Sequence, residues 1–366
     1  MARSRSQPAE VPACYAIVQP GLEELAAEEL QRDLGAEIRR TAEGIVVFRV
    51  DAIGPRLLEM RLTEDVFLFG WGTDQLTYRA TDLDQIERWT ARSVDWPHLL
   101  RLHHDIRPRP KGKPSYRLVT QMEGKHVYMR KDAGKAMARG LGGHIPPSWR
   151  PAEENAAIEI WLTIEGSTAI CGLRLSDRDM RHRTYKGEHR PASLRPTVAA
   201  AMVRVAAVRP GDVIVDPMSG AGTILAESMA YAERFRGQGL GVRGGDLEFG
   251  AVRAATLNLR RVGAPHLAWW DATRLPLPDA EADHVISNPP FGKQLSSPEE
   301  IGPLYRGMVR EYDRILKPGG QAVLLVSDAN ALREAAQAVG WTPTKRVRLR
   351  VLGQSATISA WRKQGG

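Results

Sequence analysis

Asp216-Pro217-Met218-Ser219-Gly220-Ala221-Gly222-Thr223 is the stretch whose reading decides the fold. It closes an apolar run, Val213-Ile214-Val215, and opens a helical one from Ile224 to Met229. Strand, glycine turn, helix is the nucleotide-type crevice of an open α/β sheet. Glycine at 220 and 222 lets the backbone pass tightly under a ligand, where a Cβ would intrude. A glycine-rich turn by itself is a weak signal.

The second stretch is Asn288-Pro289-Pro290-Phe291, delivered by the strand Asp283-His284-Val285-Ile286-Ser287. It suits the methylation of an amino nitrogen. An exocyclic amine on a base is a poor nucleophile because its lone pair is delocalised into the ring. Two acceptors that take both its protons draw the nitrogen towards a tetrahedral shape and aim the lone pair. The Asn288 side-chain oxygen and the Pro289 carbonyl are the candidates, with Pro289 and Pro290 fixing the backbone. Phe291 offers a ring face on which a flipped-out base stacks.

Taken together, the two stretches resemble the first and fourth motifs of class I S-adenosylmethionine-dependent methyltransferases of the amino-methylating kind, in the family's order. The resemblance implies an α/β fold with a carboxyl-terminal Rossmann-like seven-stranded domain, and S-adenosylmethionine as cofactor. It makes Asp216, Pro217, Met218, Ser219, Gly220, Gly222 and Thr223 the loop under the cofactor. Asp246, beside Leu247 after the second strand, falls where a ribose diol finds its acceptor, with Glu248 as the alternative. Asp271 and Ala272 follow the third strand, where the family contacts adenine. Upstream, Arg195 and Thr197 open a helix over the cofactor's methionine end and are candidates for its carboxylate; a helix start that touches no ligand is the other reading. The chemistry implied needs no metal and no nucleophilic side chain, and Asp216 is expected to orient rather than to act as an acid or base.

The chain has 366 residues, enough for two or three domains, and an ordinary composition of 43% hydrophobic and 26% charged residues. Only Cys14 and Cys171 occur, far apart in sequence, so neither a disulfide framework nor a zinc site is expected. No apolar run approaches membrane-spanning length and no apolar signal core follows Met1-Ala2-Arg3; a cytoplasmic, soluble monomer with no membrane partner is expected. Net charge is +8, and its placement is uneven. Pro97 to Arg150 holds twelve Lys or Arg against three acids, more than the excess of the whole chain. A polyanion partner for that block follows, or else a solvated basic face.

Cys14 to Gly72 alternates strand-like and helix-like patterns in the order β-α-β-β-α-β, including a second helix from Gly54 to Leu62, so residues 1–75 read as a ferredoxin-like domain. Trp71-Gly72-Thr73-Asp74 reads as a linker. Residues 76–178, with their basic strand-and-helix pattern, resemble the THUMP domain, an RNA-binding module of tRNA-modifying enzymes. Arg107, Arg109, Lys111 and Lys113 stand in a proline-stiffened loop, and Lys131, Lys135 and Arg139 recur along one helix face. With Lys293, behind Phe291, these are the candidate RNA contacts. Residues 179–195 read as a linker, lying along RNA or purely structural, and 196–366 as the catalytic domain.

The whole arrangement resembles the tRNA guanine-N2 methyltransferases that act on guanosine at position six, in the acceptor stem. The expectation is therefore methyl transfer to guanine N2 of tRNA. Alternatives with the same site are guanine-N2 methylation of ribosomal RNA and N6-adenine methylation of DNA. A non-catalytic RNA-binding module sits poorly with an intact Asn288, Asp246 and glycine turn.

Overall fold

The computed structural model describes residues 11–107, 112–190, 193–235, 237–263, 265–290, 301–351 and 353–365. The chain divides into two compact units, Met1–Val18 with Ala26–Met180, and Gln19–Leu25 with Arg181–Gly366.

The first unit contains β1 (Cys14–Val18), α1 (Glu23–Leu34), β2 (Glu37–Ala42), β3 (Ile45–Arg49), β4 (Thr63–Thr73), α2 (Thr81–Arg92), α3 (Trp96–Ile106), β5 (Ser115–Glu123), α4 (Arg130–Leu141), β6 (Arg150–Pro151), β7 (Ile158–Glu165) and β8 (Thr168–Arg174). Its eight strands form one sheet in the order β2-β3-β1-β4-β8-β7-β5-β6, antiparallel except where β5 lies parallel to β7 and β6. Tyr15 and Phe67 stack face to face at 4.6 Å in its core.

Two local expectations change. The helix expected over Gly54–Leu62 is a single 3-10 turn, Pro55–Glu59. The backbone N–H groups of Arg61 and Leu62 are taken by the carboxylate of the buried Glu29, at 3.1 and 2.8 Å, so the chain straightens there instead of coiling on. Trp71-Gly72-Thr73 is not a linker but the end of β4, where Trp71 pairs with Cys171 and Thr73 with Ala169 of β8. The residues on either side of the expected boundary at 75 thus share one sheet. Within the basic loop, 108–111 lie outside the described residues.

The second unit follows a short α5 (Arg178–His182) and contains α6 (Pro196–Ala206), β9 (Val213–Asp216), α7 (Thr223–Ala232), β10 (Gly241–Asp246), α8 (Phe249–Leu259), β11 (His266–Trp269), β12 (Ala282–Ser287), α9 (Ile301–Ile315), β13 (Leu316–Val326), α10 (Ala329–Ala338), β14 (Thr342–Val351) and β15 (Gln354–Arg362). Its sheet runs β11-β10-β9-β12-β13-β15-β14, five parallel strands closed by an antiparallel hairpin. From β9 the chain winds to one edge through β10 and β11, then returns to the other side of β9 with β12. The carboxyl ends of β9 and β12 therefore flank the topological switch point, where open sheets leave a crevice. One face of α9 (Tyr305, Met308, Val309, Tyr312 and Ile315) is buried against the sheet. Pro196 opens α6, and every residue of that helix is buried.

Candidate active site

At the switch point lies a cavity of about 640 Å³, walled by the turn after β9, the ends of β10 and β12, the segment after β11 and the chain before α6. That is the size range of a small-molecule or cofactor site. Asp216, Pro217, Met218, Ser219, Gly220 and Thr223 all line it.

Asp216 closes β9 and is 1% exposed. Its Oδ1 accepts from the Ser287 hydroxyl at 2.8 Å and the Met218 N–H at 3.2 Å; its Oδ2 has no hydrogen-bond partner among the described residues. Burial pushes its carboxyl up to about 7, with the charge of Asp246 adding to the effect and the two donors opposing it. Gly220 and Gly222 both take left-handed backbone, φ +53° and +79°. The space at Gly220 is open, whereas a Cβ at Gly222 would sit 2.9 Å from Leu259 Cδ1 and 3.2 Å from Ala255 Cβ. Gly222 thus serves the packing of α8 on the turn rather than room for a ligand, and it does not line the cavity.

The end of β10 is tied into this turn. Asp246 Oδ2 accepts the Gly220 N–H at 2.9 Å and its Oδ1 the Glu248 N–H at 3.0 Å. Ser219 N donates to Gly245 O at 2.8 Å. Trp270 crosses beneath, its indole N–H donating to Pro217 O at 3.0 Å. A Cβ on Gly245 would lie 2.5 Å from that ring, so position 245 admits only glycine while Trp270 holds the turn. Leu247, Asp271 and Ala272 line the cavity as well. Asp271 Oδ1 accepts from both the N–H and the hydroxyl of Thr273, each at 2.8 Å, which orients the carboxylate.

Asn288 leaves the end of β12 and lines the same cavity with Pro290; its Oδ1 is buried and has no partner among the described residues. The Ser193 and Ser219 hydroxyls, on the wall too, are also unpartnered there. Buried polar atoms without partners are rare in a folded protein, and four on one wall mark a surface shaped for a polar guest. Pro289, between Asn288 and Pro290 in the chain, is buried and does not line the cavity. Phe291 and Lys293 lie outside the described residues.

Arg195 and Thr197 do not line the cavity. Arg195 Nη1 donates to Gln19 Oε1 at 2.9 Å, and Thr197 is buried in α6. Their neighbours Ser193, Leu194 and Arg190 form that part of the wall. The preceding segment is strapped down on the second unit. Asn258 accepts the Glu188 N–H at 2.7 Å and donates to Glu188 O at 3.0 Å and Ala221 O at 2.9 Å. Lys186 Nζ donates to Leu194 O at 2.5 Å, and burial lowers its ammonium to about 8, with Glu227 partly offsetting this. Arg190 pairs with Glu248 at the rim. Most of this was not readable locally, since the partners of Glu188 and Arg190 stand far off in sequence.

Of the basic candidates in the first unit, Arg107 is spent on structure: its guanidinium donates to Leu175 O at 2.7 Å and to Asp177 at 2.8 Å. Arg139 pairs with Glu87 at 2.6 Å. Lys113, Lys131 and Lys135 are exposed, and Arg109 and Lys111 lie outside the described residues. Among the described residues no group of three His, Cys, Asp or Glu stands ready for a metal ion, and no helix is long and apolar enough to cross a membrane.

A crevice at the switch point of a parallel sheet, lined by Asn288 and Pro290 from the end of β12, is the arrangement of a methyltransferase domain. Residues 183–356 accordingly match the model of the RMKL-like methyltransferase domain. A curated Thermus thermophilus protein named tRNA (guanine(6)-N2)-methyltransferase is 30% identical over 335 residues, covering 87% of this chain and 90% of that protein. The crystal structure of TrmN from Thermus thermophilus superposes with a TM-score of 0.77 at 26% identity, over 96% of this chain and 99% of that one. A Bos taurus tRNA (guanine(6)-N(2))-methyltransferase, THUMP3, is 29% identical over 64% of this chain, which spans about half (48%) of that relative's length. The chain belongs to the family of tRNA guanine-N2-methyltransferases, enzymes that use S-adenosylmethionine.

Proposed function

We propose that this enzyme methylates the exocyclic N2 of a guanosine in tRNA, at position six of the acceptor stem. One observation carries the chemistry: the unpartnered, buried Asn288 Oδ1 opens into the cavity that also holds Asp246 and the glycine turn. The position follows the name of the Thermus thermophilus relative, which spans nearly the whole chain.

The residues present fit the cofactor. In this reading Asp246, held by two backbone N–H groups, accepts from a ribose diol and Asp271 from the adenine amine; both line the cavity, as do Ser219 and Asp216 with their unpartnered oxygens. When bound, the cofactor supplies an electrophilic sulfonium methyl. Asn288 Oδ1 and the Pro289 carbonyl accept the two protons of the guanine amine and aim its lone pair; positioning then supplies most of the rate. The methylated nitrogen is strongly acidic and loses its proton to water. Asp216 holds Ser287, the residue before Asn288, and so orients the acceptor without taking part in proton transfer.

The strand order of the first unit supports a ferredoxin-like half, β1 to β4, followed by a THUMP half, α2 to β8, fused through the β4–β8 pairing. We assign RNA binding to this unit, with Lys113, Lys131 and Lys135 as described contacts and Arg109, Lys111 and Lys293 as further ones by sequence. The enzyme acts as a cytoplasmic monomer in this reading.

Nucleoside mass spectrometry of unmodified tRNA transcripts incubated with the protein and S-adenosylmethionine tests the proposal. N2-methylguanosine mapped to the acceptor stem is the expected product. Methylated guanosine on ribosomal RNA alone would move the partner, and N6-methyladenine would overturn the role given to Asn288.

A further inference from the structure

The closing hairpin of the second unit carries charge that the site described above does not use. From Ala335 to Gly366 there is no Asp or Glu against six Lys or Arg. Three of these, Arg346, Arg348 and Arg350, stand at alternate positions of β14 and are exposed, while Leu349 is buried on the opposite face. Their neighbours across the hairpin are Ser359, Thr357 and Ser355, so no carboxylate stands opposite them. Arg346 and Arg348 have neither a hydrogen bond nor an ion pair among the described residues. An edge strand carries charge to prevent self-pairing, which lysines or acids would do as well. Arginines alone, in a row with a spacing of about 7 Å, suit phosphate, because the guanidinium fork takes its oxygens two at a time.

The row runs towards the crevice. β13 lies parallel to β12, β15 antiparallel to β13 and β14 antiparallel to β15, so the carboxyl end of β14 is on the crevice's edge of the sheet. Ser287, Leu324, Ser359 and Arg346 form one register row across those strands, about 14 Å from end to end. Arg348 and Arg350 lie beyond it, towards the edge where β12 delivers Asn288.

Where the row ends there is a second cavity, of about 190 Å³, with Gln19, Ser193, Arg195, Val198 and Arg350 in its wall. Gln19, which belongs to this unit, accepts from Arg195 Nη1 at 2.9 Å and donates to Arg350 O at 3.0 Å, tying both residues together at the cavity. The first turn of α6, which holds no acid, adds the positive end of a helix. The unpartnered Ser193 hydroxyl belongs to a residue that walls this cavity and the cofactor cavity alike. A base extruded from its stack needs its flanking backbone held, because unstacking opposes extrusion.

We propose that Arg346, Arg348 and Arg350, ending at the cavity beside Arg195, form a phosphodiester track on the catalytic unit that grips the RNA backbone next to the extruded guanosine. The track rests on the reading that the substrate is an RNA. It adds to the amino-terminal contacts a set of cations on the unit that carries the chemistry. It positions the substrate and touches no reacting atom.

Fluorescence anisotropy of the full-length protein with an unmodified tRNA transcript over a range of salt concentrations, alongside steady-state methyl transfer, tests it. Arg346→Ala combined with Arg348→Ala should weaken tRNA binding about tenfold and lower the slope of log affinity against log salt by about two. The tRNA KM should rise about tenfold with kcat close to wild type. Cofactor Kd and the melting curve should match wild type. Arg346→Lys combined with Arg348→Lys, which keeps the charge and loses the fork, should keep the salt slope and lose only part of the affinity. An unchanged slope and affinity in the alanine variant, or a cofactor Kd that rises in step with the tRNA Kd, would overturn the track. So would unaltered tRNA binding with a changed sedimentation coefficient, which would give the β14 edge to a second copy of this chain. N2-methylguanosine formed with a KM indifferent to these arginines would sink the track and leave the catalytic reading intact; arginine-dependent tRNA binding with no methylation would do the reverse.

Discussion

Asp246 Oδ2 accepts the backbone N–H of Gly220 at 2.9 Å, joining the end of β10 to the turn after β9. The acid assigned to the ribose and the loop assigned to the cofactor's underside are thus one rigid object before anything binds. Asp246→Ala should therefore do two kinds of damage, removing an acceptor and freeing the turn. The expected result is a cofactor Kd raised roughly ten- to a hundredfold, with kcat at saturating cofactor close to wild type. Isothermal titration alongside steady-state kinetics checks it; an unaltered Kd would remove Asp246 from the cofactor site.

Asn288→Ala should divide binding from chemistry in the opposite sense. Transfer should fall by about a thousandfold or more, while cofactor affinity stays within about twofold. Equal loss of both would mean Asn288 holds the cofactor rather than the amine.

Asp216 gives a pH dependence. Its folded pKa of about 7 lies above the ordinary carboxylate value of 3.8, because burial favours the neutral acid. Between those values the folded state holds a proton that the unfolded state has released. Its contribution is complete below about pH 4 and is lost as pH rises to about 7, on the order of a few kcal/mol. Asp216→Asn, neutral throughout, should lack this component, so its melting temperature relative to wild type rises across that window in the cofactor-free enzyme. A difference that stays flat from about pH 4 to 8 would show that Asp216 is ionised when folded.

Gly222→Ala should destabilise the enzyme by about 2 kcal/mol, from the φ of +79° and the contact with Leu259 and Ala255. Gly220→Ala meets no neighbour, and its strain at φ +53° should cost about 1 kcal/mol. Chemical denaturation of the two variants gives the order; the reverse order would contradict the packing role.

Lys131→Ala with Lys135→Ala should weaken RNA binding and lower the slope of log affinity against log salt by about one to two. Arg139→Ala should add little, because its guanidinium already pairs with Glu87 at 2.6 Å. Binding isotherms over a range of salt concentrations decide it, and an unchanged slope would take α4 off the interface.

The parts legible in the sequence are those whose signal is local. The turn after β9 announces itself by an apolar run, two glycines and a helical run within a dozen or so residues. Asn288 is legible for the same reason, as the residue that β12 delivers to the sheet's carboxyl edge. Trp71–Thr73 is not: two short residues beside a tryptophan read as a linker, and only the pairing with Cys171 and Ala169, a hundred positions away, makes it a strand. The turn at Pro55–Glu59 looks helical until the Glu29 carboxylate, claimed from α1, is seen to stop it. Arg107 and Arg139 look like free cations because their acidic partners stand far off in sequence.

β4 pairs with β1 on one edge and β8 on the other, and this has a consequence for how the protein comes apart. Separating the halves near residue 75 would strip β8 of β4 while leaving it β7, and would expose two raw strand edges, each a template for self-association. The amino-terminal unit should therefore melt in a single cooperative transition rather than as two halves in turn.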